Sequence, residues 1–329
     1  MVKVKLYQGD RSAKEQEEFY LLYNLMASYY SIFMSEYVDK IRSEWGANDA
    51  RRDASFKTPD DVIRFDNIQY AEDKVFNLLD VYRPKSAGKT AKLPVILNVH
   101  GGAWVYGTKD TYQFYGMELA RKGFAVVNFS YRLAPEAKFP ACLEDTDKVV
   151  KWIFANKDEY GLDTGNFFAT GDSAGAHILS LYTAALSDRK FAATFPFDVI
   201  KDFNFKAIVL NCGKYSFKEE VYSDQDLLKE ILTDYNDKKL HDQIETVEHI
   251  TPSYPPVYIM TCTGDFLKEQ SVLLAAALTR ETVPFEYHYI KDPSINLWHC
   301  YQNNIDLDSA KKCHEDECNY FKRIMGEKK

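Results

Sequence analysis

Gly171-Asp172-Ser173-Ala174-Gly175 is a Gly-x-Ser-x-Gly pentapeptide between the apolar run 167–170 and a helix-like stretch at 176–186. A strand that turns straight into a helix around such a serine strains its backbone and exposes its hydroxyl. Glycines two residues to either side remove the clashes that so sharp a turn would cause. The chemistry this suits is attack on an acyl carbon, with Ser173 as the nucleophile. The N–H of Ala174, at the start of the helix, then points at the oxyanion that develops. The plainer alternative is an ordinary strand-to-helix turn in which the glycines only make room.

A second loop complements the first. The apolar run 94–99 ends in His100-Gly101-Gly102-Ala103-Trp104. Two glycines at the end of a strand let backbone N–H groups come close to a ligand. The N–H groups of Gly101 and Gly102 are expected to complete an oxyanion hole with Ala174, and His100 to brace the loop rather than to move protons. Finding both loops in one chain, in this order, is far more specific than either alone.

These segments, together with Tyr131-Arg132-Leu133-Ala134-Pro135-Glu136 and Phe139-Pro140-Ala141, resemble the hormone-sensitive-lipase-like family of esterases over roughly residues 75–300. The resemblance implies a cofactor-free hydrolase of short-chain esters with an α/β-hydrolase fold and an N-terminal helical cap. Ala103 stands where the family usually has a third glycine. The His-Gly-Gly-x-Trp variant is also similar to that of arylformamidases and some carbohydrate-acetyl esterases, which leaves amide or formamide hydrolysis as an alternative. A third reading is a small-molecule receptor that kept the fold and lost the chemistry. Such receptors lose the base, whereas a histidine stands here at a credible position.

In an α/β-hydrolase the order along the chain is serine, acid, histidine. The acid is expected just after the strand at 257–261, where Asp265 stands, and the resembling family places its acid after this same strand. Glu269 is the nearest rival, but it falls inside the following helix. The base belongs in a loop after the last strand, which favours His299 over His288, a residue of the strand itself. Family members often have His-Gly-Phe there; Cys300 and Tyr301 follow His299 here. His177 reads as a buried core histidine, and Asp172 as a structural hydrogen-bonding residue of the turn.

The elements that must hold these residues follow from the hydrophobic rhythm. Segments 62–70 and 75–82 read as paired strands about a polar turn at Glu72-Asp73. Further apolar runs of strand length lie at 94–99, 124–129, 167–170, 207–210, 257–261 and 285–290, mostly with helical patterns between them. Apolar strands alternating with helices predict an eight-stranded, mostly parallel sheet covered by helices on both faces. Ser12 to Glu15 reads as a capping box. Phe19, Leu22, Met26, Tyr29 and Phe33 then mark one face of a long helix that fades at Trp45 and stops at Gly46. Residues 1–60 are read as a helical cap, 61–329 as the catalytic domain, and 215–250 as a helical insertion that adds to the cap.

The chain has 329 residues and a net charge of −8. Its charges are scattered, which disfavours a nucleic-acid partner, because phosphate binding needs clustered Lys and Arg. No apolar stretch is long enough for a membrane span, and the N-terminus lacks the apolar core of a signal peptide. The expectation is a cytoplasmic protein acting on a small-molecule ester, away from membranes, with a homodimer left open. Six cysteines do not form a disulfide framework, and Cys313 and Cys318 around His314 lack a second ligand pair for zinc. No cofactor and no metal are expected.

Overall fold

The computed structural model describes residues 36–88, 91–218 and 222–326. The expected capping box and the stripe from Phe19 to Phe33 lie outside the described residues. The strands are β1 (Val62–Gln69), β2 (Leu78–Pro84), β3 (Leu93–Val99), β4 (Ala125–Phe129), β5 (Leu162–Asp172), β6 (Ile208–Asn211), β7 (Val257–Cys262) and β8 (Phe285–Ile290). They form one sheet in the order β1-β2-β4-β3-β5-β6-β7-β8. β2 pairs antiparallel with both β1 and β4, and every other neighbour is parallel. The eight strands and the opening hairpin match the expectation from sequence.

The helices are α1 (Glu36–Asp53), α2 (Gln113–Arg121), α3 (Ala141–Asn156), α4 (Ala174–Ser187), the single turn α5 (Arg189–Ala192), α6 (Tyr222–Ile231), α7 (Lys238–Ile244), α8 (Lys268–Arg280) and α9 (Asp308–Met325). They cover both faces of the sheet, and the two-residue period of the strands sorts the core accordingly. Along β3, Val95 and Leu97 pack on one side with Ile153 of α3, Leu181 of α4 and Leu274 of α8. Ile96 faces the other side, with Met117 of α2 and Phe321 of α9. Burial on both faces explains why the central strands read as unbroken apolar runs.

One boundary differs from the sequence reading. α1 does not stop at Gly46 but continues to Asp53. A glycine inside a helix costs roughly 1 kcal/mol relative to alanine, and contacts on either side of Gly46 offset it. Arg42 donates to Glu136 Oε1 at 2.7 Å and to the Val105 carbonyl at 2.8 Å. Tyr106 donates its hydroxyl to Asp49 Oδ2 at 2.7 Å. The helix is therefore pinned to the loop after His100, at the ends of the parallel strands.

Candidate active site

Ser173 sits between β5 and α4 with φ 51° and ψ −120°, a strained conformation for a residue with a side chain. The glycines beside it are needed for close approach. A Cβ on Gly175 would lie 2.1 Å from the Val99 carbonyl oxygen, and one on Gly171 would lie 2.8 Å from the Gly175 carbonyl oxygen. The Ser173 N–H donates to the Asn211 carbonyl at 3.0 Å, which fastens the turn to the end of β6. These contacts hold the serine hydroxyl above the strand ends.

Ser173, His299 and Asp265, drawn from three segments, meet in one hydrogen-bonded chain. His299 Nε2 lies 2.9 Å from Ser173 Oγ, and His299 Nδ1 lies 2.6 Å from Asp265 Oδ1. Asp265 follows β7 and is fully buried. Burial would raise its carboxyl, but the bonds from His299, Thr261 and the Leu267 N–H outweigh this and hold it below the usual carboxylate range. The Thr261 hydroxyl donates to Oδ2 at 2.6 Å and the Leu267 N–H to Oδ1 at 2.9 Å. An ionised Asp265 fixes the tautomer with the proton on Nδ1 and leaves the Nε2 lone pair facing the serine hydroxyl.

The loop after β3 changes one expectation. The Gly101 N–H is not available to an oxyanion, because it donates to Asp172 Oδ1 at 2.9 Å. Asp172 is buried and also accepts from Asn303 Nδ2 at 2.8 Å, Gln302 Nε2 at 3.2 Å and the Tyr112 hydroxyl at 3.2 Å. A carboxylate gathering four donors turns Gly101 inward. Gly102, Ala103 and Trp104 then take positive φ values of 118°, 51° and 61°. The N–H groups of Gly102, Ala103 and Ala174 donate to no partner among the described residues. Nothing in the sequence fixes which way the Asp172 side chain points, so Gly101 could not be separated from Gly102 there.

The other residues singled out from sequence lie as follows. His100 is buried, stacks on Tyr131 at 4.1 Å, and has Nδ1 2.7 Å from the Gly101 carbonyl. His177 is buried between Trp104 Nε1 at 3.2 Å and the Ile244 carbonyl at 2.8 Å. His288 stacks on Tyr258 within the sheet, and Glu269 lies in the first turn of α8. Cys313 bonds Glu317, whereas His314 bonds the Gln302 carbonyl. Among the described residues, a different trio, Cys212, His299 and Cys300, brings three potential metal-ligand atoms within 4.8 Å of one another.

Ser173 and His299 open into a cavity of about 750 Å³. Its walls carry aromatic rings from Tyr37 and Trp45 of α1, Trp104 and Tyr106 of the loop after β3, and Phe266 and Trp298 beside Asp265 and His299, together with the charged Asp49, Arg52 and Lys214. Leu227 of α6 closes another side. Among the described residues, no helix is long and apolar enough to cross a membrane.

The BD-FAE family model matches residues 79–278, more than half of the chain. A versiconal hemiacetal acetate esterase of Dothistroma septosporum is 26% identical over 281 residues, covering 75% of this chain and 84% of that protein. Among solved structures, esterase B from Lactobacillus rhamnosis, inhibited by a tributyrin phosphonate, superposes with a TM-score of 0.79 at 22% identity, covering 88% of this chain and 96% of that one. A hyperthermophilic esterase from Pyrobaculum calidifontis superposes with a TM-score of 0.70 at 21% identity over 88% and 94% of the two chains. The chain belongs to the BD-FAE family and is a hormone-sensitive-lipase-like α/β-hydrolase of the carboxylic ester hydrolase class.

Proposed function

We propose that the chain hydrolyses short-chain carboxylic esters through an acyl-enzyme, with Ser173 as nucleophile, His299 as general base and acid, and Asp265 orienting His299. His299 Nε2 takes the Ser173 proton as Oγ attacks the ester carbonyl carbon. Asp265 stabilises the imidazolium without itself taking the proton. The N–H groups of Gly102, Ala103 and Ala174 receive the oxyanion, and each such donor is worth about a hundredfold to a thousandfold in kcat. The tetrahedral intermediate collapses, and the leaving alcohol takes the proton from His299. Water, deprotonated by the same nitrogen, then attacks the acyl-enzyme and releases the carboxylic acid and Ser173. The reading is carried by one observation, the unbroken chain from Ser173 Oγ to Nε2 at 2.9 Å and from Nδ1 to Asp265 at 2.6 Å.

On the substrate side we infer a small acyl group on a bulky, apolar alcohol. The acetate ester in the relative's name and the aromatic walls of the cavity support this reading. α1 and α6 serve as the cap that keeps bulk water from the acyl-enzyme. The test is hydrolysis of p-nitrophenyl acetate, butyrate and octanoate by wild type and Ser173→Ala. The expected result is fastest turnover on acetate or butyrate and a fall to background in the variant. Retained turnover in Ser173→Ala would overturn the mechanism, and a preference for octanoate would overturn the acyl assignment.

A further inference from the structure

Behind the base lies a group of sulfur atoms that ester hydrolysis does not use. Cys212 follows β6, Cys262 ends β7 and Cys300 follows His299; all three are free thiols. The Cys262 thiol donates to the Trp298 carbonyl at 3.3 Å. The sulfurs of Cys212 and Cys300 and a ring nitrogen of His299 lie within 4.8 Å of one another. Cys212 and Cys300 both hold left-handed backbone conformations, φ 49° and 57°, at the tight turns leaving β6 and His299. Two thiols and an imidazole make a soft donor set of the kind that takes zinc or cadmium.

Both thiols are held above the ordinary cysteine range, that of Cys300 chiefly by burial, so a dication takes the place of two protons and leaves the net charge of the site unchanged. Cys300 and His299 line the cavity, which gives the ion a path from solvent. Tetrahedral zinc sets its ligand atoms about 3.5–3.8 Å apart, given bonds of about 2.3 Å to sulfur and about 2.0 Å to nitrogen. Closing the trio to that size takes a movement of about an ångström.

We propose that Cys212, Cys300 and His299 form an inhibitory site for a thiophilic dication such as Zn²⁺, and that occupancy switches the esterase off by engaging the base. Binding forms two metal–sulfur bonds and one metal–nitrogen bond, releases the two thiol protons to solvent and changes no oxidation state. Solvent from the cavity supplies the fourth ligand. The neutral imidazole has one lone pair. Given to the metal, that pair is withdrawn from the Ser173 proton, whichever ring nitrogen binds. The inhibition therefore rests on the proposed role of His299 as base, whereas the binding does not.

The experiment uses the full chain and separates the two. CdCl₂ is titrated while the ultraviolet thiolate-to-cadmium absorption is recorded, and ZnCl₂ is titrated against p-nitrophenyl acetate hydrolysis. Wild type should develop the absorption with one equivalent of Cd²⁺. It should lose at least tenfold in rate at micromolar Zn²⁺, and a chelator should restore the rate. Cys212→Ala and Cys300→Ala, each compared with its own metal-free rate, should lose the absorption and need at least tenfold more Zn²⁺. Absence of the absorption in wild type would overturn the site. So would an unchanged inhibitory concentration in both variants, which would put the inhibition elsewhere. A normal absorption with an undiminished rate at saturating metal would overturn the inhibition and count against His299 as the base.

Discussion

Asp172 Oδ1 accepts the Gly101 backbone N–H at 2.9 Å, so the residue before Ser173 is bonded to the loop that carries the proposed oxyanion donors. The other carboxylate oxygen of Asp172 receives Asn303 at 2.8 Å, four residues beyond His299. One buried side chain thus ties together the serine turn, the glycine loop and the segment that follows His299.

Asp172→Asn keeps the size of the side chain and replaces one acceptor oxygen with a donor. The donors left facing the new amide should splay the loop from the turn. A misplacement of about an ångström at a reacting centre costs about a hundredfold. The expected outcome is a kcat on p-nitrophenyl acetate lower by about tenfold to a hundredfold, with KM changed by less than about threefold. Steady-state kinetics check this, and an unchanged kcat would contradict the clamp.

Gly175→Ala tests the packing of the turn. The added methyl would meet the Val99 carbonyl oxygen at 2.1 Å and that of His100 at 2.5 Å, both backbone atoms with little room to move. Overpacking of this kind destabilises by about 3 kcal/mol or more. Urea unfolding should show that loss, together with loss of ester hydrolysis in whatever protein remains folded.

Glu317 predicts a pH dependence of stability. This side chain of α9 is buried, with Asn211 Nδ2 donating to Oε1 at 2.7 Å and the Tyr115 hydroxyl donating to Oε2 at 2.6 Å. Burial pushes its carboxyl up to about 7 from an ordinary value of 4.5, against the pull of those donors and of Cys313. Between these two values the folded chain holds a proton that the unfolded chain has released, so stability falls as pH rises. The loss is on the order of 3 kcal/mol and complete above about pH 7. Glu317→Gln should flatten this part of the urea-midpoint profile; a wild-type midpoint that rises from pH 5 to 7.5 would contradict the assignment.

Much of the scaffold is legible in the sequence because burial on both faces writes the central strands as short apolar runs. The runs at 94–99 and 257–261 carry no alternation and need none. That His299 rather than His288 stands beside Ser173 is legible for a related reason, since a residue inside a strand cannot reach the loops beyond its end. What escapes the sequence depends on side-chain direction and on contacts between distant segments. The Gly101 N–H is spent on Asp172 only because that carboxylate turns toward the loop. α1 runs through Gly46 because Tyr106 and Glu136, far along the chain, hold its two halves. The thiols of Cys212, Cys262 and Cys300 carry no spacing signal, because three segments far apart in the chain bring them together.

The most direct test of the account is covalent labelling with an aryl alkylphosphonate, followed by intact mass and peptide mapping. The account predicts one adduct per chain, located on Ser173, absent in Ser173→Ala and formed at least a hundredfold more slowly in His299→Asn. Full inhibition with the label on another residue, or equal labelling of Ser173→Ala, would contradict it.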